Sequence, residues 1–148
     1  MAARGRVLTK PGTGTLSRAQ YVSIAAFRHQ LRRFLSFSEA AAAAAGLPVQ
    51  QHQALLAIAG DPGPEPPTIG TLAEHLIVAP HTAAELVSRM AEAGLVTKTQ
   101  AGSDRRKQHL ALTAKAEAVL ATLTEAHLQE LEQLRALLTQ AAAKPDGQ

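Results

Sequence analysis

Two groups of side chains in this sequence carry usable chemistry. The first sits on a helical segment that begins at Pro80, with His81, Thr82, Ala84, Glu85, Ser88 and Arg89 facing one way and Ala83, Leu86, Val87 and Met90 the other. The second follows at Asp104, Arg105, Arg106 and Lys107. These are residue types that meet nucleic acid. Threonine donates to phosphate or touches a thymine methyl; alanine packs on such a methyl; glutamate accepts from cytosine N4; arginine reaches phosphate or guanine. Three successive cations repel one another unless an anion is near, and a loop lying along a duplex places them on phosphates or in a narrow minor groove. Asp104 is too close to the phosphates to be a contact, so its role is to pair with an arginine and fix the loop. Each pattern also has a plainer account. Glu85 and Arg89 form an i,i+4 surface pair in the favoured order, and many charge runs are solvated turns. The order of the two groups along the chain is what favours DNA.

The elements that position these groups are legible. Ile69, Leu72, Ala73 and Leu76 have helical spacing, and a turn at Ile77–Val78–Ala79 follows. A second helix then runs over Pro80–Ala93 and stops at Gly94. Proline fits its first position, where a missing N–H costs nothing. Ala79 is a poor cap, which leaves first-turn amides for His81, Thr82 or a DNA phosphate. The period then becomes alternating, with Val96 and Lys98 on one side and Thr97 and Thr99 on the other. A polar tip over 101–107 interrupts it, and strand spacing resumes at Leu110 and Leu112. Two helices joined by a short turn, then a hairpin with a cationic tip, outline a winged helix-turn-helix.

Long helices flank this unit. Ser17 and Gln20 make a capping box, with Leu16 and Tyr21 at the staple positions. Ile24, Phe27, Leu31, Phe34 and Phe37 then form an apolar stripe, opposite Arg28, Arg32 and Arg33. An alanine-rich stretch ends at Gly46-Leu47-Pro48. A helix over Val49–Ala59 and a proline-dense loop over Asp61–Pro67 lead to Thr68-Ile69, read as a short strand. Past the hairpin, Thr113 caps a last helix lined by Val119, Leu120, Leu123, Leu128, Leu131, Leu134, Leu137 and Leu138. Its roughly 30 residues make about 45 Å, more than a small core can cover. Apolar stripes at both ends of the chain point to a homodimer; the plainer account is that the two helices pack only on each other and on the core. The expected fold is therefore mainly α, a winged helix-turn-helix with a small β-hairpin wing and long N- and C-terminal dimerisation helices. The divisions are a flexible basic arm (1–15), an N-terminal dimerisation helix (16–46), a DNA-binding unit (47–112) and a C-terminal dimerisation helix and tail (113–148).

Composition narrows the function classes. In 148 residues, 46% are hydrophobic and 18% charged, enough to form a core. Aromatics at 3% argue against a stacking surface for single strands. There is no cysteine, which excludes disulfides and thiolate-held zinc. The net charge of +3 fits a nucleic-acid partner. No apolar run reaches the length of a membrane span, and none follows the basic N-terminus as in a secretory signal, so the expected location is cytoplasmic. The six histidines include no pair at the i,i+4 spacing of a zinc helix, and no nucleophile–base spacing or phosphate-cradling glycine loop occurs. Neither a metal, a cofactor nor an enzymatic activity is expected.

The segment from Leu47 to Leu120 resembles the MarR family of bacterial transcription factors. LPVQQHQALLAIAG is similar to the family's second-helix pattern, with Gln51 in the place of its usual glutamine. TLAEHLIVAPHTAAELVSRMAEAGLVTK resembles its helix-turn-helix, and SDRRKQHLALTAKA its wing and the start of its long helix. The sequence departs from the pattern at Lys98, where arginine is common, at Ala116, where glycine is usual, and at Glu85, which is atypical in the reading helix, so no operator sequence carries over. The resemblance implies a homodimeric, mostly helical winged-helix repressor, and a dimer that presents each element twice calls for a pseudo-palindromic operator in double-stranded DNA. It also implies release by a small aromatic or phenolic effector bound between the dimer lobe and the DNA lobe. From the residues themselves, Arg28, His29, Arg33 and His52 beside an apolar wall are the candidate ligand-binding set, suited to an anionic or aromatic molecule; the plainer account makes them surface charges flanking the dimer lobe. Two other readings stand beside this one. In one, the winged helix is a protein-interaction module, a version that should have lost the wing cations. In the other, the histidines serve a small metal-dependent enzyme.

Overall fold

Ser17 opens the first helix through its capping box: the Gln20 side chain accepts from the Ser17 N–H at 2.7 Å, and the Ser17 hydroxyl accepts from the Gln20 N–H at 3.3 Å. The computed structural model describes residues 15–102 and 104–142, with the backbone alone at 101, 104–106 and 140–142. The basic arm, apart from Thr15, lies outside the described residues.

The element order is α1 (Arg18–Ala44), α2 (Val49–Ala59), α3 (Ile69–Leu76), α4 (Pro80–Glu92), β1 (Val96–Ala101), β2 (Asp104–Leu112) and α5 (Ala114–Ala142). The predicted α2 is found at its predicted bounds, and Ala93 serves as the C-cap of α4 instead of its last residue. The expected strand at Thr68-Ile69 shrinks to a single bridge between Thr68 and His109. The reason is local. Thr68 caps α3, its hydroxyl accepting from the Thr71 N–H at 3.3 Å while the Thr71 hydroxyl accepts from the Thr68 N–H at 2.8 Å. A residue committed to a cap cannot extend a strand into the next position.

The hairpin pairs antiparallel, with Val96 opposite Leu112 and Lys98 opposite Leu110. Its base is buried at Val96 and Leu110, while Thr97 to Gln100 and Lys107 to Gln108 are exposed, so the strands project outward as a wing. Thr113 ties the base together. Its hydroxyl donates to the Gly94 carbonyl at 2.6 Å and accepts from the Ala116 N–H at 3.2 Å, joining the end of α4 to the start of α5.

One apolar core holds α4 in place. Leu55 from α2, Leu72 from α3, Val87 and Met90 from α4 and Leu110 from β2 are its most deeply buried large side chains. Leu120 and Leu123 of α5 pack into the same cluster. Each such side chain contributes about 1.5–3 kcal/mol by leaving water. The rest of α5 lies antiparallel to α1: Ser38 meets His127, and Val22 to Phe27 lie beside Leu134 to Leu138. This pairing leaves much of both stripes uncovered. Tyr21 and Ile24 are 63% exposed and Leu128 57%.

Candidate nucleic-acid interface

The two faces of α4 are sorted as its periodicity requires. Ala83, Leu86, Val87 and Met90 are buried, while His81, Thr82, Glu85, Ser88 and Arg89 are exposed and Ala84 is half-buried. Glu85 and Arg89 approach to 3.9 Å with both side chains well exposed. A pair so solvated contributes little stability, and the guanidinium keeps its donors for an outside partner. Proline at the first position and Ala79 at the cap leave the start of α4 without a side-chain cap. The Thr82 and Ala83 amides bond to the Ala79 carbonyl, at 3.0 and 3.1 Å. The His81 N–H then has no partner among the described residues and sits at the positive end of the helix, where anions bind.

Two further polar residues join this face. Gln50 and Gln53, exposed on α2, share a cleft of about 130 Å³ with Thr82, Glu85 and Arg89. Sequence reasoning missed them, because α2 reads as a core helix and only the packing of α2 on α4 turns its polar side toward the exposed face of α4. In the wing, Lys107 is exposed. Asp104, Arg105 and Arg106 lie on β2, and their side chains are outside the described residues.

The candidate ligand set is not drawn into one pocket. Arg28, His29 and Arg33 are exposed on α1, whereas His52 is 2% exposed. His52 instead meets His127 of α5 at 5.0 Å between ring centroids, and Phe34 and Phe37 pack edge-on to His127. His127 Nδ1 lies 2.6 Å from the Leu123 carbonyl, which can only accept, so Nδ1 carries the hydrogen. In the neutral ring, Nε2 then accepts from the Ser38 hydroxyl at 2.8 Å. His52 Nδ1 is buried without a partner among the described residues. The sequence held no sign of this pair, since its members come from different helices. A larger cavity, about 560 Å³, lies elsewhere, between the end of α2, the base of β2 and α5. Ile58, Leu110, Leu120 and Leu128 supply apolar wall, and Glu117 and Glu125 stand among its lining residues.

Burial, and secondarily the neighbouring His127, hold the His52 imidazole below its ordinary value of 6.5. The unfolded chain therefore takes up this proton more readily than the folded one, and stability falls as pH drops below about 6.5. Urea unfolding at pH 7.5 and 5.5 should show a lower midpoint in acid, and His52→Leu should make that dependence shallower. Equal pH dependence in the two proteins would contradict this account of His52.

Among proteins of curated function, none matches this sequence. The MarR family model matches residues 45–107, from the end of α1 to the wing. Solved structures with the same fold include AbsC, a MarR family transcriptional regulator from Streptomyces coelicolor, 18% identical, with 82% of each chain covered and a TM-score of 0.65. A MarR family protein from Bacillus stearothermophilus is 17% identical, over 89% of this chain and 86% of that one, at a TM-score of 0.67. A MepR variant of S. aureus bound to an oligodeoxyribonucleotide is 15% identical, over 88% of this chain and 87% of that one, at 0.61. The mainly helical winged helix-turn-helix expected from the sequence is the fold these chains share. No helix among the described residues is long and apolar enough to cross a membrane.

Proposed function

We propose, starting from a chain whose residues 45–107 are a MarR-family segment, that this protein is a DNA-binding transcriptional regulator acting in the cytoplasm as a homodimer. The observation that carries this reading is the face of α4. Its polar residues stand exposed on a helix whose other side is locked into the core, and its N-terminus is left uncapped. A reading helix needs that combination: a rigid mount and free donors at the end that enters the groove. The dimer lobe is assigned to α1 and α5, within the divisions 16–46 and 113–148, where Ile24, Leu35, Leu128 and Leu131 remain exposed. A dimer presents α4 and the wing twice, so the operator is a pseudo-palindrome with half-sites about one helical turn, roughly 34 Å, apart.

Repression relieved by a small ligand completes the proposal. A ligand shifts the DNA-binding equilibrium only as far as it prefers one state. The α2–β2–α5 cavity is placed to couple an occupant to the wing, because Leu110 and Leu112 of the wing's base line it. An anionic ligand held by Arg28, His29 or Arg33 would instead lie on the solvent side of α1, with His52 outside its reach unless the helices move.

Selection of duplexes from a random pool by the full chain tests the function, and variants separate the roles of its parts. Thr82→Ala and Arg89→Ala should each weaken binding to the selected duplex by about 1–3 kcal/mol per lost base contact, with little change on random duplex. Equal losses on both duplexes would remove α4 as the sequence reader. Asp104→Ala is an internal check. It removes a negative charge, so simple attraction predicts tighter binding, whereas an aspartate that orients an arginine predicts weaker binding.

A further inference from the structure

Among the described residues, three helices end in the same backbone closure. One left-handed residue follows the helix, and the next amide bonds back to a carbonyl of the last turn. The bonds are Leu47 N–H to Ala42 at 2.9 Å after α1, Val78 N–H to Ala73 at 3.0 Å after α3, and Leu95 N–H to Met90 at 2.9 Å after α4. This is the closure for which glycine is the usual left-handed residue. After α1 and α4 the chain uses glycine, with φ of 72° at Gly46 and 73° at Gly94. After α3 it uses Ile77, at φ 56° and ψ 48°. Among the described residues Ile77 is the one non-glycine residue at positive φ. A β-branched side chain there is a true outlier, because its Cβ crowds the following carbonyl oxygen.

Packing does not offset the strain. Ile77 is 91% exposed, more than any other large apolar side chain described. The fold thus carries a strained residue and a bare hydrophobe at one position and gains nothing from either inside the chain. Strain of this kind concentrates where a side chain acts on something outside the fold. The position says what that is. Ile77 stands in the turn between α3 and α4, at the end of α4 that carries Pro80 and the exposed Thr82.

We propose that Ile77 is a specificity-determining residue whose side chain packs on a thymine C5-methyl at the edge of the major groove, beside the bases that α4 meets. This rests on the DNA-binding reading above. An isoleucine has no hydrogen bond to offer, and the thymine methyl is the apolar group that the major groove displays. The contact buries both and excludes water from the flank of the reading helix.

The test uses the full chain and duplexes selected by it from a random pool, with each thymine replaced in turn by uracil, which lacks the methyl. Wild type should lose about fourfold in affinity at one thymine per half-site, the worth of burying one methyl-sized group. Ile77→Gly should bind the thymine duplex more weakly than wild type and show no difference between thymine and uracil there. Its urea midpoint should rise relative to wild type, as relief of the left-handed strain requires. Ile77→Asn, a residue that tolerates this conformation, should behave alike on DNA. Full affinity retained by Ile77→Gly would overturn the contact and assign the side chain to a protein partner. Equal sensitivity to uracil in wild type and variant would overturn it too. Enrichment of no sequence by wild type would instead bring down the DNA-binding reading itself, and Ile77's role with it.

Discussion

Replacing both Arg105 and Arg106 by alanine should weaken binding to every duplex, selected or random, and flatten its dependence on salt. The cause is counterion release. Each phosphate neutralised by a cation adds about 0.9 to the log–log salt slope on double-stranded DNA. A dimer loses four arginines in this variant, so the slope should fall by about 3.6 if all four meet phosphates. The effect is large because it is paid by specific and non-specific complexes alike. If one arginine of each wing enters the minor groove, a preference for A·T pairs beside each half-site should vanish with it. A variant with an unchanged salt slope would show that the wing does not lie on DNA. It would also favour the protein-interaction reading of the winged helix.

The second large effect concerns the dimer. Leu128 and Leu131 lie on α5 with 57% and 42% of their surface exposed, beyond the region of α5 that packs in the core. Replacing both by glutamate puts two charges per protomer on that face. Burying them unpaired in a dimer interface is costly, whereas in the monomer they are simply solvated. The variant should sediment as a monomer with a helical spectrum like that of wild type. Its operator affinity should drop by about 10²–10⁴, the usual gain from linking two binding events. A variant that remained dimeric with unchanged affinity would place the interface elsewhere.

The features legible in the sequence are those written in local spacing. Ser17 with Gln20, Pro80 at the start of α4, Gly94 at its end and Thr113 before α5 each fix a boundary through bonds spanning a few residues. The inward and outward faces of α4 follow from a period of 3.6 on a single helix. What escaped depends on how helices meet. Gln50 and Gln53 join Thr82 and Arg89 in a cleft only because α2 packs on α4. His52 and His127 face each other only because α2 and α5 cross. Thr68 reads as a strand from sequence because threonine suits both a strand and a cap, and the bond to Thr71 decides between them. The effector set failed to converge for a similar reason. Arg28, His29 and Arg33 stand on an exposed face of α1 while His52 is buried on α2, and spacing on one helix does not say which of its faces a neighbour covers.

The most direct test of a sequence-reading, dimeric DNA-binding protein is a titration. The full chain is added to the duplex it selects and to a shuffled duplex of equal composition, each at several salt concentrations. The account predicts two protomers bound per selected duplex, tightly and saturably. It predicts binding to the shuffled duplex weaker by about 10³ or more, and both affinities falling as salt rises. Equal affinity for the two duplexes, or no salt-dependent binding to either, would contradict it.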